Sequence, residues 1–100
     1  MKMKLLMQWD IRPGDKGRYF EFTAREFVPS VTKMGLQIVD AWYTLYGNGS
    51  QILIAGVVKD EKTLRQILTS QEWQDLLGNL SEYVRNFEKK VVPDRGGFQL

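Results

Sequence analysis

Three tryptophans, four tyrosines and 12 carboxylates are what this chain of 100 residues can do chemistry with, since it has neither cysteine nor histidine. Without histidine it lacks the commonest general base at neutral pH and the commonest metal ligand. Ser-His-Asp and Cys-His nucleophilic catalysis are therefore excluded. Without cysteine there is no disulfide, zinc-thiolate site or redox dithiol. The acidic residues show no ligand-loop spacing for a hard cation, so no metal is expected. Haem usually takes a His, Cys, Met or Tyr ligand, and a peroxidase-like role is not expected without His. Gly47-Asn48-Gly49 reads as a hairpin turn that opens no helix, so it is no phosphate loop. No cofactor is implied. What remains is a set of polar and aromatic side chains at alternate positions: Asp40, Trp42, Thr44 and Tyr46, with Gln8 and Asp10 spaced the same way upstream. Alternation puts each set on one face of a strand. A carboxylate such as Asp40 could serve as a base where burial raises its pKa.

The element that must carry those residues is WYTLYGNGSQILIAGVV, residues 42–58. Asn48-Gly49 is a strong hairpin signal. The arm after it, Ile52 to Val58, is apolar on both faces, although a half-wet strand alternates. Upstream, KLLMQWDI (4–11) alternates, with Leu5, Met7, Trp9 and Ile11 opposite Lys4, Leu6, Gln8 and Asp10; Arg12-Pro13-Gly14 ends it. Asp15 is placed as the cap of a helix whose stripe is Phe20, Ala24, Phe27, Val31 and Met34, kinked at Pro29 and ended by Gly35. Strands are expected over 37–46 and 51–58. Asp60 caps a helix carrying Leu64, Ile67 and Leu68. Thr69-Ser70-Gln71-Glu72 fits a capping box for a helix burying Trp73, Leu76, Leu77, Leu80 and Tyr83. A fourth strand covers 85–92, with Pro93 as its stop and 93–100 as a tail that is loose or lies on a neighbour.

The order β-α-β-β-α-β is the ferredoxin-like α+β pattern, one domain over 1–100, with one four-stranded antiparallel sheet. Right-handed crossovers place the helices on one face of the sheet. In the second strand, Val39, Ala41, Tyr43 and Leu45 are assigned to the helices. The other face then carries Trp42, Tyr46, and either the isoleucines of the third strand or Leu53 and Val57. Such a patch is larger than a soluble monomer normally exposes. Covering it, at about 25 cal/mol per Å², contributes several kcal/mol after binding costs. The simplest cover is a second copy related by a two-fold axis, so a homodimer is expected, with two sheets face to face and room for a ligand between them.

The basic excess is small, +2 net, and the densest basic pair is Lys89-Lys90. Nucleic-acid binding needs a basic stripe, which is missing. The opening MKMKLLMQWDI does not read as a signal peptide, and no apolar run approaches a membrane span, so neither a membrane nor a nucleic acid is expected as partner. A cytoplasmic location follows as the expectation.

"WDIRPGDKGRYFEF" (9–22) resembles the opening of NIPSNAP-type domains: an aromatic, an aliphatic and a basic residue, then Pro-Gly before the first helix. Residues 35–77 are similar to the family's middle, through Gly35, Trp42, Gly47, Arg65 and Gln71-Glu72-Trp73, with Gln71 where the family often has Pro. The resemblance covers about 9–92 and rests on structural motifs. It implies a dimeric α+β barrel, in a superfamily that also holds cofactor-free monooxygenases. It brings no agreed reaction and no catalytic residues.

Three functions are weighed on these residues. The first is a homodimeric barrel binding a small, partly apolar molecule, with Gln8, Asp40, Trp42, Thr44 and Tyr46 as the ligand-binding set. The second is a cofactor-independent monooxygenase-type enzyme acting on an aromatic or quinol held between Trp42 and Tyr46. The third is a structural or partner-binding module in which Trp42 and Tyr46 simply pack an interface. Trp9 and Trp73 read as core anchors, and Arg12 as a solvated turn arginine. Arg25 and Glu26 belong on the exposed side of the first helix.

Overall fold

The computed structural model describes residues 1–46 and 49–95, and only the backbone at 46, 49 and 50. Strand β1 is Met3–Ile11 and is followed by helix α1, Lys16–Phe22, a π-helical turn, Thr23–Phe27, and helix α2, Val28–Met34. Then come β2, Gln37–Tyr46, β3, Gly49–Val58, helices α3, Glu61–Thr69, and α4, Gln71–Leu80, and β4, Val84–Pro93. The sheet is antiparallel in the order β2-β3-β1-β4. This is the expected ferredoxin-like α+β architecture. β2 and β3 pair with Tyr46 opposite Gly49, which agrees with a hairpin there. The Gly47-Asn48 part of that turn, and the tail from 96 onward, lie outside the described residues.

The core lies between the helices and one face of the sheet. Leu5, Met7, Trp9 and Ile11 of β1 and Ile52, Ile54 and Val58 of β3 are buried with Phe27 and Val31 from the first helical stretch and Leu64, Ile67, Trp73, Leu76 and Leu80 from α3 and α4. Trp9 anchors this layer as expected. Its ring meets Phe27 edge-on and stacks on Phe87, and its indole N–H donates to the Tyr19 hydroxyl at 3.0 Å. A buried indole donor needs such a partner. Burial pushes the Tyr19 phenol pKa up, opposed in part by its contacts with Thr23 and Trp9.

The stripe of the first helical stretch differs from expectation. Tyr19, Phe22, Phe27 and Val31 are buried, while Phe20 and Ala24 are exposed and Met34 is half-buried. The buried spacing is three, five, then four. The five is the π turn, where the Val28 N–H bonds the Thr23 carbonyl. A π turn holds one extra residue, which rotates everything before it relative to everything after it. It sits just ahead of Pro29, which has no N–H to continue the α pattern. Asp15 precedes α1 but makes no side-chain cap; it pairs with Arg18 at 3.5 Å. Gly35 ends α2 with φ of 108°, the left-handed geometry that glycine adopts freely.

Asp60 caps α3 as expected, accepting from the Thr63 N–H at 2.7 Å. The α4 cap falls one residue later than the box predicted. Ser70 accepts from the Trp73 N–H, and Thr69 instead donates its hydroxyl to the Arg65 carbonyl. Trp73 is buried under α4 as anticipated.

Candidate functional site

The second face of the sheet has no helix over it, and the strand register arranges it in cross-strand rows. One row runs Glu88, Gln8, Leu53, Trp42 across β4, β1, β3 and β2. The next runs Lys90, Leu6, Ala55, Asp40, and beyond the first lies Arg85, Asp10, Gln51, Thr44. The choice left open by the alternation of β3 is thus resolved: its isoleucines face the helices, and Leu53 and Val57 lie on the open face. The centre of that face is apolar, with Leu6 and Ala55 buried and Leu53 and Val57 half-buried. Its margins are charged.

Two bulges set this arrangement. Between Ile38 and Asp40 the β2 register slips against β3, so Val39 is an extra residue. It is 44% exposed and does not pack under the helices as expected. Ile38, Ala41 and Tyr43 take the helix side, where Tyr43 meets Phe20, and Leu45 runs out beyond helical cover. A second bulge, opposite Trp9, contains Asn86 at φ 59°. It lets Phe87 stack under Trp9 and turns the Asn86 amide to the Asp10 carboxylate at 2.9 Å. A bulge shifts every later side chain to the other face, and so re-aims a strand without ending it.

Of the five expected ligand-binding residues, Gln8, Asp40, Trp42 and Thr44 share the open face. The Tyr46 side chain lies outside the described residues. They do not form one tight cluster. Gln8 and Trp42 stand two strands apart, about 10 Å, with Leu53 between them. Asp40 and Thr44 are exposed in the single chain. The concave part of the face is instead a groove of about 160 Å³ between β3, β1 and β4, lined by Leu6, Met7, Gln8, Leu53, Glu88, Lys89 and Lys90. There the Gln8 amide donates to Glu88 at 2.8 Å. Glu88, Lys90, Leu6 and Leu53 were not in the expected ligand-binding set, although Leu6 was placed on the same strand face as Gln8 and Leu53 was one of the two alternatives for the open face. The signal for the first two was the alternation of 84–92, hidden by the bulge at Asn86.

At the far margin Lys4 is almost fully buried and pairs with Asp94 at 3.6 Å, while the Asp94 N–H bonds the Lys2 carbonyl. This ties the end of β4 to the start of β1. Arg12 is exposed, as expected for a solvated turn arginine, and is steadied by one contact. Its guanidinium donates to the Ser81 carbonyl at the end of α4, at 3.3 Å. Arg25 and Glu26 are exposed as anticipated. Two wider grooves, about 470 and 520 Å³, run along the outer flanks of the helices. They share Arg25, Glu26 and Asn79, and contain none of the expected ligand-binding residues. Among the described residues no group of three or more acidic side chains could hold a metal ion, and no helix is long and apolar enough to cross a membrane.

An antiparallel four-stranded sheet with all its helices on one side and a structured second face defines a ferredoxin-like α+β domain. Solved structures share that fold over nearly the whole chain. A NIPSNAP family protein from Agrobacterium tumefaciens matches with a TM-score of 0.70 at 15% identity, covering 99% of this chain and 100% of its own. An uncharacterized NIPSNAP-like domain protein from Burkholderia xenovorans matches with a TM-score of 0.70 at 17% identity, covering 99% and 90%. SnoaB, a cofactor-independent oxygenase from Streptomyces nogalater solved as a mutant, matches with a TM-score of 0.70 at 12% identity, covering 96% and 95%. The structural neighbours are thus NIPSNAP proteins and proteins of the monooxygenase fold, in line with the resemblance read from the sequence. At these identities the likeness is one of fold. No protein-family model matches the chain, and no curated protein matches it significantly.

Proposed function

We propose that two copies of this chain pair through their open sheet faces and hold a small, partly apolar molecule between them. The observation that carries this reading is the open face itself: an apolar centre of Leu6, Leu53, Ala55 and Val57, a groove of about 160 Å³, and polar side chains only around it. Small-molecule sites combine apolar walls with a few placed polar groups in this way. A two-fold axis near the Leu53 row would set the groove of one copy against that of the other and enlarge the enclosed space. Gln8, Asp40, Trp42 and Thr44 supply its hydrogen bonds and its aromatic wall, with Tyr46 as the fifth member of the set. A cytoplasmic location is part of this reading.

The second reading is oxygenase chemistry without a cofactor, the activity named for the Streptomyces nogalater neighbour. On this face Asp10, Asp40 and Glu88 are carboxylates available to take a proton from an electron-rich aromatic. Native mass spectrometry of the purified protein tests the first reading. The expected spectrum shows two chains with a bound small molecule. Trp42→Ala is expected to lose that molecule while the pair persists. If the wild-type pair is empty and Trp42→Ala only weakens pairing, the face is a packed interface and the ligand reading is wrong.

A further inference from the structure

The sequence's densest basic pair, Lys89-Lys90, is divided by the sheet. Lys89 pairs with Met7 and Lys90 with Leu6. Since Met7 belongs to the helix-side core and Leu6 to the open face, alternation directs the Lys90 side chain onto the open face, while Lys89 borders the groove beside it. There its surroundings are uneven. Glu88, two residues away on the same face, already accepts the Gln8 amide. Asp10 takes the Asn86 amide, and Lys4 is paired with Asp94. Lys90 forms no ion pair among the described residues, although Leu6, Leu53 and Ala55 lie in its row and the next.

We propose, resting on the reading of this face as a ligand site, that the groove takes a small organic anion: a flat or branched apolar body lying over Leu6 and Leu53, with one carboxylate or similar acidic group meeting the Lys90 ammonium. A cation at the edge of an apolar groove meets an acid through a charge-assisted hydrogen bond, the stronger kind. Pairing of two sheets would lower the local dielectric and strengthen that contact further. The apolar floor explains why the ligand is not a free inorganic ion, because such an ion would leave Leu6 and Leu53 uncovered. The volume, about 160 Å³ in one copy, is about five waters' worth and fits a ring system of one or two rings. Glu88 and Gln8 beside the cation then select for an acid that also carries a donor, such as a hydroxyl or amide.

The test uses the full chain and two probes of one shape, 2-naphthoate and uncharged 2-naphthamide, titrated by calorimetry. Wild type is expected to bind naphthoate about tenfold more tightly than naphthamide, a difference of about 1.4 kcal/mol. Lys90→Gln is expected to abolish that preference by weakening naphthoate alone. Lys62→Gln, at an exposed position of α3 away from the groove, is expected to leave both probes unchanged, which controls for net charge. Equal binding of the two probes to wild type, or an unchanged preference in Lys90→Gln, overturns the anion assignment. If the two probes bind equally and both weaken in Trp42→Ala, the ligand face stands and only its charge preference is wrong. If neither probe binds, both the anion assignment and the ligand reading fail.

Discussion

Adding a single methyl group at Gly56 tests how the sheet is packed. Gly56 sits in β3 opposite Leu5 and Ile38, with its missing side chain directed at the helix layer. A β-carbon there would lie 2.6 Å from Cδ1 and 2.7 Å from Cγ of Leu36, with Cδ2 at 3.1 Å. Carbon atoms pack at about 3.5–4.0 Å, so roughly an ångström must be found. Rotating one methyl cannot supply it, because the branch point itself is in the way. Leu36 is wholly buried, and its N–H is tied to the Val31 carbonyl at 2.9 Å. Overpacking of this kind costs about 1–3 kcal/mol. Alanine recovers about 0.4–1 kcal/mol by restricting the unfolded chain. The net loss for Gly56→Ala is then about 1 kcal/mol. With an unfolding entropy of about 2.1 cal/mol/K per residue, the melting temperature should fall by about 5 °C. Thermal unfolding followed by circular dichroism measures it. Repeating the change in a Leu36→Ala background supplies the control, since the obstruction is then gone and Gly56→Ala should be neutral or stabilising. No loss in the wild-type background, or the same loss in both backgrounds, refutes the packing described.

Two further outcomes follow from the hydrogen bonds. Tyr19→Phe leaves the buried Trp9 indole N–H without its acceptor and should cost about 1–3 kcal/mol, read from urea denaturation. Because burial raises the Tyr19 pKa, the neutral phenol is the folded form; its contribution is whole below the ordinary value of 10.0 and is lost as pH rises through the raised one. Tyr19→Phe should therefore flatten the alkaline limb of a stability–pH curve, and an unchanged limb contradicts the assignment. The Thr63 N–H and hydroxyl hold the Asp60 carboxyl below its ordinary value of 3.8. This helps stability above that pH and is lost as the pH falls through the lowered value. The protection of the Thr63 amide, its exchange rate compared with that of the unfolded chain at the same pH, should fall on acidification, and Asp60→Asn, which still caps the helix, should remove that acid dependence.

The alternation of β1, the capping at Asp60, the glycine end of α2 and the order of elements are all legible from residue types. They depend on contacts a few positions apart. Three of the misplacements share one cause, which the missed caps at Asp15 and Thr69 do not. The π turn at Thr23–Phe27, the bulge at Val39 and the bulge at Asn86 each insert one residue into a regular period. A single insertion shifts every assignment on one side of it, so an unbroken period sends Phe20 and Ala24 inward and Val39 under the helices. No local pattern announces such an insertion. It is chosen by what the rest of the chain gains, as when the Asn86 bulge brings Phe87 under Trp9. The candidate site divides in the same way. Gln8, Asp40, Trp42 and Thr44 share a face because strands alternate. The groove lies beside Gln8 because β4 is its neighbour in the sheet. That pairing links residues as far apart in the chain as Gln8 and Glu88, and alternation within one strand cannot reveal it.

Sedimentation equilibrium of the purified chain over a wide concentration range tests the pairing of open faces most directly. The account predicts a mass of twice 11.6 kDa, falling to that of one chain when a charge is placed at the centre of the face by Leu53→Asp. A folded, soluble species of 11.6 kDa at every concentration would contradict it.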